Sequence, residues 1–320
     1  MKLINKKNMQ QFVLFGILAA LVIFFSICSE NFFTAVNITN LIRQQSIVAI
    51  IAAGGTLVMI TKGLDISVGS TVALSGVVFA LSLQAGMPMW LGLILGMLSG
   101  GLVGCINATT IVGLGINPTI ATLGTMEAIR GVAYLLADGK AVVNGLPANF
   151  NFLGRGYVGA VPIPVLIMIV VFVLSHFILS KTLIGKYIYA IGGNIETARY
   201  AGIQVKKVLV SVYIYVGLLA GLSGVLLASR LTSGNPQIGS GYEFDVIIAV
   251  YLGGVSTKGG EGSVIGTLIG AMIVGVLTNG MNILGINSFY QYIVRGAVLV
   301  IAVVIDMIIK EGKFKLKKVS

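Results

Sequence analysis

The sequence predicts an all-α, polytopic transmembrane helical bundle of about ten spans with both termini in the cytoplasm. The 320 residues are 57% hydrophobic and only 10% charged, with a mean hydropathy of +1.01, whereas soluble domains carry roughly 25% charged residues. Residues 66–126 contain no Asp, Glu, Lys or Arg, and one helical span needs about 20 apolar residues. That stretch therefore holds several spans, and its lack of alternation excludes a transmembrane β-barrel.

Apolar runs with few or no charges divide the chain into individual spans. We expect the first run to remain as an uncleaved span, because no small-x-small cleavage site follows it. Residues 1–320 then form a single transmembrane domain. The ten predicted spans are residues 11–29, 46–61, 68–84, 90–112, 118–137, 162–180, 208–229, 243–256, 263–283 and 288–309.

The distribution of basic residues predicts the orientation. With the N-terminus inside, fifteen of the 21 Lys and Arg residues lie on the inner side, including a basic tail at 310–320. The outer side holds Arg43, Lys140, Arg155 and Arg230. The net charge of +11 is therefore what topology and anionic lipid headgroups require, and we expect contacts with membrane lipid and no nucleic-acid partner.

One short motif occurs twice. "TKGLDISVGST" at 61–71 returns as "TKGGEGSVIGT" at 257–267, and both copies fall at predicted inward-facing turns. Glycine permits a tight turn, and the acid and serine of each copy can accept hydrogen bonds from amides that open the next helix. Simple helix capping and support for broken helices around a transport pathway are equally good readings. The four capping candidates are Asp65, Ser67, Glu261 and Ser263.

The longest inner loop, residues 181–207, predicts a short helix on the membrane surface. Asn194 is a good N-cap, Glu196 lies in the first turn, and Gly202 ends the helix after about two turns. A solvated connector near the headgroups is the simpler alternative. The presence of residues that cap both ends favours a defined helix that serves as a docking site for a partner.

At this point several motifs resemble one family along nearly the whole chain. "GLDISVGS", "GKYIYAIGGNIETARYAGI", "GYEFDVIIAVYLGGVSTKGGEGSVIGTLIGA" and "NGMNILGINSFYQYIVRGAVLVIAV" are similar, in order and spacing, to ribose-type monosaccharide permeases of ATP-binding-cassette (ABC) importers. Lys62, Lys258 and Glu261 depart from that pattern. They leave the class intact but put an exact substrate match in doubt.

The resemblance implies a fold of the ABC importer permease type and three protein partners. A second permease copy would complete the pathway as a homodimer, and an extracellular binding protein would deliver the sugar. A separate ATPase, using ATP and Mg²⁺, would dock on residues 194–202. The coupling positions implied by the resemblance are Asn194, Glu196, Ala198, Arg199 and Gly202.

Enzymatic chemistry is not indicated in this chain. It has no G-x-x-x-x-G-K-[ST] phosphate-binding loop, and "LSGG" at 98–101 lies inside an apolar span where helix packing explains the small residues. One histidine and two cysteines in apolar runs offer neither metal-ligand spacing nor a nucleophile with a base. We expect no catalytic residue, no metal and no cofactor bound by this chain.

Polar residues within the spans are candidates for the substrate pathway, because such groups seek partners or water. Glu127 and Arg130 share a helix face and can form an internal ion pair or border the pathway. Arg295 is expected to extend outward to the membrane surface. On the outer side, Glu243 and Asp245 are expected either to cap the eighth span or to contact the binding protein. The remaining pathway candidates are Asn117, Thr119, Thr122, Asn279 and Asn282.

Two other functions compete with an importer subunit. An ion-coupled carrier working alone would use an intramembrane carboxylate such as Glu127. A membrane anchor without transport activity has only simplicity in its favour. The surface helix without an attached catalytic domain favours the importer subunit.

Overall fold

The computed structural model describes residues 6–311, and within them the chain is mostly helical. A π-helical turn at 109–113 follows α4, and a small hairpin, β1 (157–158) with β2 (161–162), precedes α7. The helices are α1 Lys6–Cys28, α2 Ala35–Ile60, α3 Val68–Gln84, α4 Met89–Ala108, α5 Pro118–Leu136, α6 Phe152–Arg155, α7 Ile163–Lys181, α8 Leu183–Gly193, α9 Ile195–Tyr200, α10 Val205–Leu231, α11 Tyr242–Leu252, α12 Val264–Ile283 and α13 Ser288–Glu311.

Each of the ten predicted spans falls on a helix. Of the described helices, six are long and apolar enough to cross a membrane: α1, α2, α4 with its π-helical turn, α7, α10 and α12. The structure thus confirms a helical membrane protein, while ten spans and cytoplasmic termini stay predictions. Most of the predicted basic tail, 312–320, lies outside the described residues.

Two predicted spans differ in length from their helices. Helix α2 begins at Ala35 rather than 46, where the Thr34 hydroxyl accepts a hydrogen bond from Asn37 N at 3.3 Å. Because the first turns of α2 are polar, a search for apolar runs does not find this helix start. Helix α11 ends at Leu252 rather than 256, because Gly253 and Gly254, the latter with φ +86°, break the chain.

Helices α2 and α10 form the centre of the bundle. From Ser46 to Ile60 every residue of α2 is buried, as expected for a helix that is apolar on all sides. Helix α10 packs against α2, α3 and α4. The α4 contact is made by backbones: a methyl group added to Gly100 would overlap Gly217 O and Gly221 Cα. Small residues permit this close approach where lipid provides no hydrophobic force between helices.

The segment 232–241, between α10 and α11, is irregular backbone packed inside the bundle. It runs along α3, with Gly234 against Ala80 and Gly239 against Gly69 and Val72. Helix α11 therefore starts beside the first turn of α3 and, with 11 residues, is only about 16 Å long. Irregular backbone at membrane depth requires such protein surroundings.

We expect Gly100→Val to lower the thermal unfolding midpoint of the purified protein by several degrees, since overpacking of this kind costs about 1–3 kcal/mol. Gly16→Val is the matched control, because Gly16 on α1 is exposed and an added Cβ there meets nothing within 4 Å. Equal losses at the two positions would contradict the close α4–α10 contact.

Candidate functional site

The two copies of the repeated motif lie against each other at one end of the bundle. We call the turns at 61–67 and 253–263 the paired turns. Gly260 N donates to Ile60 O at 2.8 Å, and a side chain at Gly259 would overlap that of Lys62. The buried hydroxyls of Thr56 and Thr267 are 2.7 Å apart. The repeat therefore produces two adjacent turns.

The capping predictions for these turns have mixed outcomes. Ser263 caps α12 as predicted, accepting from Gly266 N at 3.0 Å. Ser67 does not cap α3, because its hydroxyl donates to Asp65 Oδ1 at 2.6 Å. Asp65 accepts from Ser67 N at 2.9 Å, so the acid rather than the serine satisfies an amide at this helix start. Glu261 is exposed, and its capping role stays a prediction.

Asp65 is also the centre of a buried network that the sequence analysis missed. Asn107, in the last turn of α4, donates to Asp65 Oδ2 at 3.2 Å and to Ser67 Oγ at 2.9 Å. Burial raises the pKa of the Asp65 carboxyl above its ordinary value of 3.8, while hydrogen bonds from Ser67 and Asn107 act in the opposite direction. The network ties the first of the paired turns to the end of α4. An asparagine within an apolar run was the available signal, because a buried amide needs partners.

Helix α8, which the sequence analysis did not predict, ends against the paired turns. A methyl group at Gly192 would overlap Ile60 O and lie 2.5 Å from Gly260 N. Lys62 Nζ donates to Gly193 O at 3.3 Å, and the Tyr189 hydroxyl donates to Gly262 O at 2.9 Å. The end of α8 is therefore held by both turns.

The predicted surface helix is α9, which follows α8 directly. Asn194 caps it as predicted, accepting from Glu196 N and Thr197 N, both at 3.0 Å. Glu196 and Arg199 form an exposed ion pair at 2.7 Å. Ala198 is 3% exposed and faces inward, and Gly202 ends the helix with φ +79° and its N–H donating to Arg199 O. All five predicted coupling residues thus belong to one capped surface helix or its immediate end.

Helix α13 also contacts the second of the paired turns. Asp306 Oδ2 accepts from Thr257 N at 3.0 Å and from Thr257 Oγ1 at 2.9 Å. Asp306 is not among the predicted site residues. Its contact means that the paired turns receive side chains or backbone from α4, α8 and α13.

Inside the bundle, Arg130 has a different partner from the one predicted. Its guanidinium donates to Pro236 O at 2.7 Å and Ile238 O at 2.9 Å, while Glu127 is exposed. The expected Glu127–Arg130 ion pair is absent, because the irregular segment presents carbonyl oxygens that have no helical donors. Arg130 satisfies two of them.

Glu243 and Asp245 are buried, with 8% and 6% of their surface exposed. Neither side chain is exposed in this conformation, and their contact with a binding protein stays a prediction. Glu243 Oε1 accepts from Gly241 N at 3.1 Å, which agrees with the capping alternative. Asp245 forms an ion pair with Arg295 at 3.4 Å, so Arg295 turns inward rather than outward.

A small polar cavity of about 60 Å³ lies beside this ion pair and is lined in part by Asn279 and Asn282. Asn279 exchanges two hydrogen bonds of 3.0 Å with Asn37, and Asn282 Oδ1 accepts from Gln291 at 2.7 Å. The cavity has room for a few water molecules. These two predicted pathway residues therefore line an internal cavity within one chain.

The other pathway candidates lie on α5 or at its N-cap, and α5 packs against α3, against α4 with its π-helical turn, and against the irregular segment through Arg130. Asn117 caps α5 through Thr119 N at 2.9 Å, and the buried Thr122 hydroxyl donates to Pro118 O at 2.8 Å. Thr119 is exposed. One exposed stripe of α5, at helical spacing, consists of Ile120, Gly124, Glu127, Gly131 and Leu135. This open helix face has no partner within the described chain.

Within residues 6–311, no three His, Cys, Asp or Glu side chains lie close enough together to hold a metal ion. The expectation that this chain binds no metal or cofactor stays a prediction.

Comparison with known proteins places this geometry in context. The family model described as branched-chain amino acid transport system / permease component matches residues 37–303. The ribose import permease protein RbsC of Bacillus subtilis is 44% identical, with 89% of each chain covered. RbsC of Escherichia coli K12 is 41% identical over 90% of this chain and 91% of its own. The D-allose transport system permease protein AlsC of E. coli K12 is 37% identical over 93% and 91%. No solved structure matches the chain.

Gly192→Ala is expected to loosen α8 and α9, because the added methyl group overlaps Ile60 O. Hydrogen exchange of residues 195–200 should accelerate about tenfold or more, the effect of roughly 1–3 kcal/mol of overpacking. Gly193→Ala provides the neighbouring control, since nothing lies within 4 Å of its added Cβ. Unchanged exchange in Gly192→Ala would show that the paired turns do not hold α8.

Proposed function

This chain belongs to the branched-chain amino acid transport system permease family, and from that membership we propose that it is the membrane permease subunit of an ABC importer for a monosaccharide. The relatives that match over most of their length are permeases for ribose and D-allose. They support a simple sugar as substrate, with ribose as the first candidate. The chain is a transport subunit of the bacterial plasma membrane and not an enzyme.

The proposed mechanism depends on one observation, the contacts that hold α9 in place. An isolated helix of six residues is unstable in water, so its shape depends on the Asn194 cap, the Gly202 end and the α8 clamp. A short helix held in this way is a rigid, exposed contact surface, which suits a partner that applies force to it. We assign the separate ATPase to this surface, with ATP and Mg²⁺ bound by that partner.

Movement of α9 reaches the transmembrane helices through the paired turns. Tyr189 and Gly192 connect α8 to both turns, and these turns lead into α2, α3, α11 and α12. Because Gly192 meets Ile60 and Gly260 backbone to backbone, a displacement of α9 is transmitted to the turns with little loss. The paired turns are therefore the mechanical junction of the proposed alternating-access cycle.

The pathway itself is assigned to the face between two permease copies. The open stripe of α5 has small residues that permit close approach, and Thr119 and Glu127 supply hydrogen-bonding groups on the same open side. A neutral sugar needs such polar partners. This arrangement implies a homodimer with α9 and the termini in the cytoplasm and a binding protein outside.

The alternative is an ion-coupled carrier. The exposed Glu127 on α5 would serve as its cation or proton site. Asp65 and Asp245, in contrast, are buried and paired within the chain. Their partners indicate structural roles for these two carboxylates.

We expect ATP-dependent uptake of labelled ribose by membrane vesicles that contain this chain, its cognate ATPase and its cognate binding protein. Omission of either this chain or the ATPase should abolish uptake. Uptake that persists without the ATPase would favour the carrier. If an assembled complex transports D-allose or L-arabinose but not ribose, the importer stands and the substrate assignment changes.

Gly202→Val should reduce ATP-driven uptake at least about tenfold by straining the end of α9, since a left-handed backbone costs a non-glycine residue roughly 1–2 kcal/mol. Gly139→Val is the control: its φ of +68° is similar and its added Cβ also meets nothing within 4 Å, but it lies in the loop after α5. Equal uptake by the two variants, both inserted in the membrane, would remove α9 as the coupling contact.

A further inference from the structure

Three of the four basic residues that the topology assigns to the outer side come together in the folded chain. Arg155 Nε donates to Arg230 O at 2.6 Å, and Arg43 and Arg155 both lie close enough to Arg230 to repel it electrostatically. The Arg43 guanidinium stacks over the Tyr157 ring at 4.8 Å. We call Arg43, Arg155 and Arg230 the outer arginine cluster.

No carboxylate neutralises this cluster within the part of the chain that the structure describes. Among the described residues, the side-chain acceptors on its guanidinium groups are amide oxygens, Asn40 Oδ1 for Arg43 at 3.4 Å and Gln44 Oε1 for Arg230 at 3.1 Å. Two nitrogens of Arg43, Nε and Nη2, are buried without a hydrogen-bond partner, whereas the Arg155 side chain is exposed. The cluster is therefore a set of three adjacent cations without a counter-charge among the described residues, and Arg155 is its exposed member.

The cluster lies at the end of the bundle opposite the paired turns. Along α2, Arg43 and Ile60 are 17 residues apart, or about 26 Å at 1.5 Å per residue. That distance approaches the roughly 30 Å of a bilayer core. If α9 faces the cytoplasm, as proposed above, the cluster faces the outside.

Exposed apolar and aromatic side chains surround the cluster. Phe152 and Tyr157 are about half exposed and Val158 is 61% exposed, all within α6 and the β1–β2 hairpin. Arginine with aromatic residues is the composition enriched at protein–protein contacts. A patch that only followed the lipid surface would not need three converging guanidinium groups.

We propose that the outer arginine cluster and the adjacent hairpin dock an acidic surface of the soluble sugar-binding protein. The inference rests on the importer function proposed above. Guanidinium groups match carboxylates in two-pronged geometry, and complementary charge increases the rate of encounter. A lipid phosphate is the less favoured occupant, because polybasic lipid contacts are typical of the cytoplasmic leaflet.

The test measures binding of the sugar-binding protein to the assembled permease–ATPase complex in nanodiscs of phosphatidylcholine alone. Arg155→Glu should weaken binding about tenfold or more at low salt, since like charges then face each other. It should also flatten the salt dependence. Lys140→Glu is the matched control, because it makes the same charge change on the same side but at a residue outside the cluster. Arg43→Gln, which removes charge without reversing it, should give a smaller loss.

The proposal is overturned if Arg155→Glu and Lys140→Glu change binding equally, or if wild-type binding is lost in the neutral lipid and returns only with anionic lipid. It is equally overturned if the arginine variants alter permease dimerisation and not partner affinity. Binding is measured apart from transport. Failure of ATP-driven uptake by wild type would therefore count against the proposed function and leave the binding comparison intact.

Discussion

The arrangement of the candidate site depends on one constraint, the approach of three stretches of backbone at Ile60, Gly192 and Gly260. The hydrogen bond from Gly260 N to Ile60 O joins the paired turns, and Gly192 fits against both only because it has no side chain. Backbone contact leaves no flexible side chain to absorb movement. The position of α8, and through it α9, follows from this contact.

A second constraint governs the interior, where every polar group must find a partner away from water. The irregular segment 232–241 pairs Gly234 with the backbone of Val142 and two further carbonyls with Arg130. Asp245 and Arg295 neutralise each other nearby. The charged residues within this bundle therefore stabilise an unusual backbone path and a helix junction.

Much of the architecture follows from local signals in the sequence. Apolar runs indicate the helices, and Asn194 with Gly202 marks α9 to within a residue, because capping is decided by nearby backbone. Ser67 failed as a cap since its hydroxyl is drawn to Asp65, a contact shaped by Asn107 forty residues away. The burial of Glu243 and the partners of Arg130 could not be predicted either, because both depend on where the irregular segment lies in the bundle. Helix caps, which depend on neighbouring residues, could be predicted from the sequence. Contacts between residues far apart in the sequence could not.

The interior segment also has a consequence for the order in which this protein can be built. Segment 232–241 has carbonyls that lipid cannot satisfy, and its donors come from Arg130 on α5 and from the backbone at Val142. Those donors, and the groove on α3 that receives the segment, are all synthesised before it. The groups that satisfy this polar segment are therefore already present in the chain when the segment itself is made.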